Sequence, residues 1–330
     1  MTNKVMWTPG HDQLNQAQIT EFRLDMNSIY GLNLNSYDDL YQWSLDHAAE
    51  FWSEIWKFGG IISSTEADEV VDDLSKMPGA KWFQGARLNY AENLLRYRDE
   101  RTAIHFRGED QVKRSLTYSQ LYAQVARTAQ AMKDAGVSRG DRVAGFIPNL
   151  PETVIAMLAA SSLGAIWSSS SPDFGIKGVL DRFSQIEPKI IFAADGYFYG
   201  GKRFDSLEKL QNILHELPSV EKVVVISYTQ TPDISGVPNS IHWEDFIDNP
   251  ATEVSFTPLP FDHPLYIMYS SGTTGLPKSI VHSAGGTLVQ HVKELMLHCD
   301  LKREDTIFYF TTCGWMMWNW LVSSLAVGAT

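Results

Sequence analysis

Arg142-Val-Ala-Gly-Phe-Ile-Pro-Asn-Leu-Pro-Glu-Thr-Val-Ile-Ala-Met-Leu-Ala-Ala-Ser-Ser-Leu-Gly-Ala-Ile-Trp-Ser-Ser169 decides the fold. Arg142–Ile147 is a short apolar run cut by Pro148, which reads as a buried strand. Pro151 then opens a helix that runs through Leu163, with Gly164 behind it as a stop. Ala165–Ser169 is a second strand. A strand, a helix of three or so turns and another strand make a βαβ unit, whose two strands are parallel.

The same alternation extends in both directions. Upstream, Thr102–Phe106 and Lys113–Leu116 form a short hairpin around Gly108-Glu-Asp-Gln111, and Thr117-Tyr-Ser-Gln120 is a capping box for a helix ending at Gly136. Downstream, Ser171-Pro172 is expected to cap a helix. Lys189–Ala193 reads as a strand, Leu207–Leu217 as a helix and Lys222–Ser227 as a strand, while residues 229–240 read as a surface loop. The fold class is therefore α/β, with mostly parallel sheets and flanking helices, and ligand belongs at the carboxyl ends of the strands. Residues 1–95 differ in texture. From an N-cap at Ser36, the residues Leu40, Trp43, Leu45, Phe51, Ile55 and Phe58 recur at helical spacing, giving a tryptophan-rich helical cap whose aromatics pack as core. The expected division is a helical segment over 1–95 and an α/β domain over 96–330.

One loop stands out. Pro264–Tyr269 reads as a buried strand, and Tyr269-Ser-Ser-Gly-Thr-Thr-Gly-Leu-Pro-Lys278 follows it. Backbone N–H groups, up to four hydroxyls and one lysine can converge there, and glycine lets the backbone approach closely, which is what a triphosphate requires. It is not a Walker A loop: counting from Gly272, the second glycine falls on Pro277, although Lys278-Ser279 keeps the right offset. No dinucleotide fingerprint follows a strand either. A flexible Ser/Thr/Gly turn with a solvated lysine is the plain alternative.

Composition narrows the classes. The chain has 330 residues, 44% of them hydrophobic, enough for a sizeable core and about two domains. With 27 basic and 39 acidic residues the net charge is −12, which disfavours nucleic-acid and anionic-membrane partners. Two cysteines, Cys299 and Cys313, cannot make a disulfide framework and suit a reducing compartment. The first residues show no secretory signal, and Val154–Trp167 is too short to span a bilayer, so a cytosolic protein is expected. No His-x-x-x-His pairing with glutamate supports a zinc site. Leu321–Thr330 is apolar, with Gly328 placed as a helix stop, and such a segment needs a following strand to pack on; the chain is read as the first part of a longer one.

Ser271-Gly-Thr-Thr-Gly-Leu-Pro-Lys278, closed by Val281-His282, resembles the signature of the adenylate-forming enzymes, the acyl-CoA synthetase superfamily. Tyr37–Ser44, Phe51–Phe58 and Arg87–Leu94 resemble the N-terminal segment of its acetate- and acetoacetate-activating branches. Ile166–Gly175, Gly178–Ile186 and Cys313–Trp320 are similar to the acetoacetate branch, the acetate branch having smaller residues where Met316, Met317 and Trp318 stand.

The resemblance implies a ligase for acetoacetate using ATP, Mg²⁺ and coenzyme A; a ligase for acetate or another short acid, or a non-catalytic nucleotide-binding fragment, is the alternative. It assigns Ser270, Ser271, Gly272, Thr273, Thr274, Gly275 and Lys278 to the ATP phosphates, with Thr273 or Thr274 near Mg²⁺ and Lys278, Thr274 and His282 as catalytic candidates. His282 reads equally well as a structural histidine. Trp315, Met316, Met317 and Trp318 would line the acyl pocket, or else pack as core. Lys202 and Arg203, in the turn Gly200-Gly-Lys-Arg203, resemble a contact to the coenzyme A 3′-phosphate, although Tyr199 and Lys202 stand where arginines are usual. The family's ribose-binding acidic residue and its adenylation lysine match nothing before residue 330, so this polypeptide alone is expected to show little or no turnover.

Overall fold

The computed structural model describes residues 6–270 and 275–330. Four helices come first, α1 (His11–Gln16), α2 (Gln18–Tyr30), α3 (Tyr37–Asp46) and α4 (Ala48–Phe58). Ser36 caps α3 as expected: its hydroxyl accepts the Asp39 N–H at 3.1 Å, and the Asp39 carboxylate returns to the Ser36 N–H at 2.9 Å. Leu40, Trp43, Ile55 and Trp56 are buried, whereas Leu45 is exposed. Beyond Phe58 the helical period gives way to short strands, β1 (Ser63–Thr65), β2 (Glu69–Val71), β3 (Trp82–Gln84) and β4 (Arg87–Leu88), before helix α5 (Tyr90–Leu94). Gly79 and Gly85, both at positive φ, break the helical run there.

The hairpin β5 (Thr102–Gly108) and β6 (Val112–Thr117) leads into α6 (Tyr118–Asp134), capped by Thr117 with Gln120. Then come β7 (Arg142–Phe146), α7 (Pro151–Ser162), β8 (Ile166–Ser170), α8 (Ile176–Phe183) and β9 (Ile190–Ala194). Helix α8 starts at Gly175 rather than at Ser171-Pro172, because the Phe174 N–H bonds the Ser171 carbonyl at 3.2 Å and closes a turn first. A small hairpin, β10 (Gly196–Tyr199) and β11 (Lys202–Asp205), precedes α9 (Leu207–His215) and β12 (Lys222–Ile226). The expected surface loop ends in a strand, β13 (Ser240–His242), parallel to β12; α10 (Trp243–Phe246) and β14 (Leu259–Pro260) follow. The last elements are β15 (Pro264–Ser270), β16 (Lys278–Ser283), α11 (Ala284–Lys293) and α12 (Met316–Val322).

Seven strands form the central sheet in the order β13-β12-β9-β7-β8-β15-β16. All pairs are parallel except β15 with β16. Side chains alternate between two cores. Val143, Ile190, Phe192, Val224 and Ile226 enter one with α6 and α7, while Ala144, Phe146, Ile191, Val223 and Val225 enter the other with α8 and α9. Every residue of α7 is buried, as its unbroken apolar run requires.

The β5–β6 hairpin is fastened to α7 by one pair. Arg114 Nη1 and Nη2 donate to Glu152 Oε1 and Oε2 at 2.6 and 2.8 Å, and Glu152 lies in the first turn of α7, where the helix dipole favours a carboxylate. Replacing Arg114 by alanine strands that largely buried carboxylate. Urea unfolding should show a loss of about 2 kcal/mol; an unchanged midpoint would mean the fork contributes nothing.

Candidate active site

Because β7, β8 and β15 are parallel, their carboxyl ends lie along one rim of the sheet at Phe146, Ser170 and Ser270. The serine, threonine and glycine loop leaves from Ser270. Ser271, Gly272, Thr273 and Thr274 lie outside the described residues. Gly275 has φ +103° and open space around it, a backbone conformation that suits glycine. The loop returns into β16, so Lys278 pairs with Ser270 across the hairpin and does not sit on the loop crest. Gln185 clasps this returning arm: its Nε2 donates to the Pro277 carbonyl at 2.9 Å and its Oε1 accepts the Ser279 hydroxyl at 3.0 Å.

Strand alternation then sorts the hairpin. Ser270, Met268 and Tyr266 face the same side as their partners Lys278, Ile280 and His282, and Ile267 and Tyr269 face the other. Lys278 is exposed and has no ion-pair partner among the described residues. His282 is half-buried, with its ring 5.1 Å from that of Tyr266, and burial lowers its pKa.

Over the rim lies the segment leading into α12. Ser169 Oγ donates to the Cys313 carbonyl at 2.6 Å, and Cys313 Sγ donates to the Ile147 carbonyl at 2.9 Å. Burial pushes the Cys313 thiol up to about 12, so it stays protonated and is no nucleophile. Trp315 is exposed, Met316 and Met317 are half-buried, and Trp318 is buried with its indole N–H on Asn149 Oδ1 at 2.7 Å. The Trp/Met cluster is therefore divided. Trp318 belongs to the core, Met316 meets the Tyr266 hydroxyl at 4.0 Å, and Trp315 faces solvent.

Sequence reasoning passed over a small cavity beside this cluster. It opens between β8 and β15, walled by Trp167, Ser168, Met268, Gly314 and Asn319 among others. Nearby lie three of the five buried side-chain polar atoms that have no hydrogen-bond partner among the described residues: Ser170 Oγ, Thr312 Oγ1 and Asn319 Oδ1. Each orphan of that kind costs about 1–3 kcal/mol, so their gathering at one rim makes it the candidate place for a ligand. The signal in the sequence was the run Ser168–Ser171 ending an apolar strand, and one amide, Asn319, inside an otherwise apolar helix.

The basic turn lies elsewhere. Gly200 and Gly201, both at positive φ, direct their N–H groups to the Glu109 carboxylate at 2.7 and 2.8 Å. Arg203 reaches buried Asp195 and exposed Asp205 at 3.7 and 3.5 Å, and Lys202 is exposed. Among the described residues no group of acidic, histidine or cysteine side chains could hold a metal ion, and no helix is long and apolar enough to cross a membrane.

Helix α12 is tied down by a buried polar chain. The Ser323 hydroxyl meets Tyr90 OH at 2.7 Å and His291 Nδ1 at 2.7 Å, and donates to the Asn319 carbonyl at 3.1 Å. Burial, helped by repulsion from His282, pulls the His291 pKa from 6.5 down to about 4. A depressed histidine pKa means that the unfolded chain takes up a proton first on acidification. Stability should therefore be intact above pH 6.5, fall by about 3 kcal/mol between 6.5 and 4, and level off below. Urea unfolding across that range should show His291→Asn with a flatter profile than the unsubstituted chain; parallel profiles would exclude His291 as the source.

Comparison with known proteins agrees with this geometry. The sequence model of acetyl-coenzyme A synthetase N-termini matches residues 37–94. Acetoacetyl-CoA synthetase of Danio rerio is 51% identical over the whole chain, which covers 50% of that protein. Malonamoyl-CoA synthetase of Penicillium aethiopicum is 42% identical over 99% of the chain and 47% of its own length. The solved structure of acetoacetyl-CoA synthetase from Streptomyces lividans superposes with a TM-score of 0.94 at 42% identity, covering 99% of this chain and 51% of that one. The chain thus spans about half the length of the curated relatives it matches. Since the sequence model of the AMP-binding enzymes matches everything from residue 91 to residue 330, well over half of the chain, this protein belongs to the AMP-binding enzyme family.

Proposed function

We propose that this chain supplies the N-terminal half of an AMP-forming acid–thiol ligase whose substrate is acetoacetate. In the first step a carboxylate oxygen of the acid bonds to the α-phosphorus of ATP and the bond to pyrophosphate breaks, leaving an acyl-adenylate. In the second, the coenzyme A sulfur bonds to the acyl carbon and AMP departs. The protein's part in the first step is to position the groups and to neutralise the charge growing on pyrophosphate.

The observation that carries this reading is the shared face of the β15–β16 hairpin. It puts Ser270 and Lys278 on the side of the sheet that also holds Met268, a wall residue of the small cavity that Asn319 lines, so the phosphate donors and that cavity share one face. Lys278 with Ser270, Ser271, Gly272, Thr273, Thr274 and Gly275 would hold the phosphates. Thr273 or Thr274 would lie near Mg²⁺, which would offset phosphate charge when bound. His282, whose pKa burial lowers and whose ring lies against that of Tyr266, would border the acid. Met316 and Met317 would wall the pocket from helix α12, with Trp318 behind them and Trp315 at the mouth. For coenzyme A, Lys202 offers the freer charge, since Arg203 already serves two aspartates.

Apolar side chains left in the open support a longer working protein. Phe308 and Phe310, two residues apart, are both more than half exposed, as apolar side chains are where other protein covers them. A cytosolic, soluble enzyme fits the charge and the absence of a membrane-crossing helix among the described residues. The malonamoyl-CoA synthetase likeness favours a second reading, a related short acid that also carries a carbonyl at its third carbon.

In the ligase of its relatives' full length, Lys278→Ala should lower acetoacetate-dependent ATP–pyrophosphate exchange at least tenfold, or about 1.4 kcal/mol in the barrier. Exchange at the unsubstituted rate would remove Lys278 from the phosphate site.

A further inference from the structure

We infer that Asn319 selects the acid by donating its side-chain amide to the substrate's 3-keto oxygen. This rests on the ligase reading above and names the group that gives it its substrate class. Asn319 is 3% exposed, sits on α12 and forms part of the cavity wall between β8 and β15. Its Nδ2 meets only the thioether of Met268, at 3.4 Å, and its Oδ1 has no partner among the described residues. Rotating the amide half a turn exchanges its ends, so either a donor or an acceptor can be turned toward the cavity.

The serines and the indole of the wall are already engaged, and the Tyr266 hydroxyl is turned to the Met316 thioether at 4.0 Å. Ser168 Oγ donates to the Ile267 carbonyl at 2.9 Å, Ser169 Oγ to the Cys313 carbonyl at 2.6 Å, and Trp167 Nε1 to Ser169 Oγ at 3.2 Å. Asn319 is the wall residue with a side-chain polar atom left without any partner among the described residues. The cavity, about 10 Å³, admits roughly one water-sized group, which is the size of a carbonyl oxygen and not of a whole acid. Met268, which touches Asn319, lies two residues before Ser270, so a short acid with its second carbonyl at Asn319 points its carboxylate toward the phosphate hairpin. The backbone that carries the amide is held from behind: the Asn319 main-chain carbonyl accepts from Ser323, which is itself fixed by His291 and Tyr90.

The chemistry predicts discrimination between acids of equal length. A ketone oxygen pairs with the amide, whereas the methylene of butyrate leaves it buried and unpaired. In the full-length ligase, acid-dependent ATP–pyrophosphate exchange should run at least tenfold better in kcat/KM with acetoacetate than with butyrate. Asn319→Leu should erase that ratio by lowering acetoacetate and sparing butyrate, and Asn319→Asp, which offers only acceptors when ionised, should depress acetoacetate more than Leu does. An unaltered ratio in the variants, or a common fall with both acids, would show a structural role and overturn the proposal. If the variants do not fold, the unsubstituted enzyme decides: equal use of butyrate and acetoacetate also overturns it. Exchange with neither acid would instead sink the ligase reading itself, an outcome separate from a lost preference.

Discussion

The parallel run of β7, β8 and β15 is the constraint on which the site depends. Parallel strands leave their carboxyl ends on one rim, and they need helices on both faces to bury them. That requirement explains the uninterrupted burial of α7 and the two separate cores above and below the sheet. It also explains why one strand, β16, turns back. A helix after Ser270 would carry the chain away from the rim, while a hairpin returns Lys278 to the position opposite Ser270. The antiparallel edge strand thus holds Lys278 opposite Ser270, the residue from which the loop leaves.

The second constraint is polar and buried. Helix α12 and the segment before it are held over the rim by Ser169 to Cys313, Cys313 to Ile147, Trp318 to Asn149 and the Tyr90–Ser323–His291 chain. None of these is a surface ion pair, and each loses strength little in salt. Together they fix the helix that carries Asn319, Met316 and Trp318 to three different parts of the fold. A site that discriminates small ligands needs its walls held to a fraction of an ångström.

Much of this was legible in the sequence, for identifiable reasons. The βαβ order from Arg142 to Ser227 followed from apolar runs punctuated by Pro151, Gly164 and Gly136, and the caps at Ser36 and Thr117 are local chemistry. Local chemistry failed where the decision was tertiary. Nothing in Lys278-Ser-Ile-Val-His-Ser283 says that it will pair backwards on Pro264–Ser270, and nothing in Ser240-Ile-His242 marks it as a strand until β12 lies beside it. The partition of Trp315 to solvent and Trp318 to the core likewise depends on which turn of α12 meets Asn149. Asn319 was invisible for a related reason: a lone amide in an apolar run shows its meaning only when its neighbours are known and found to offer it no partner.

Those unpaired groups also bear on how the fold tolerates its own site. Ser170, Thr312 and Asn319 would each be better satisfied in a protein selected for stability alone, at about 1–3 kcal/mol apiece. Their concentration at the rim, away from the well-paired interior around α7, follows the general rule that local conflicts collect where function is exercised. A ligand that completes those bonds binds the folded chain and not the unfolded one, and so returns stability in proportion to its concentration over its Kd. The groups that lower stability at the rim are then the ones through which a matching ligand would return it.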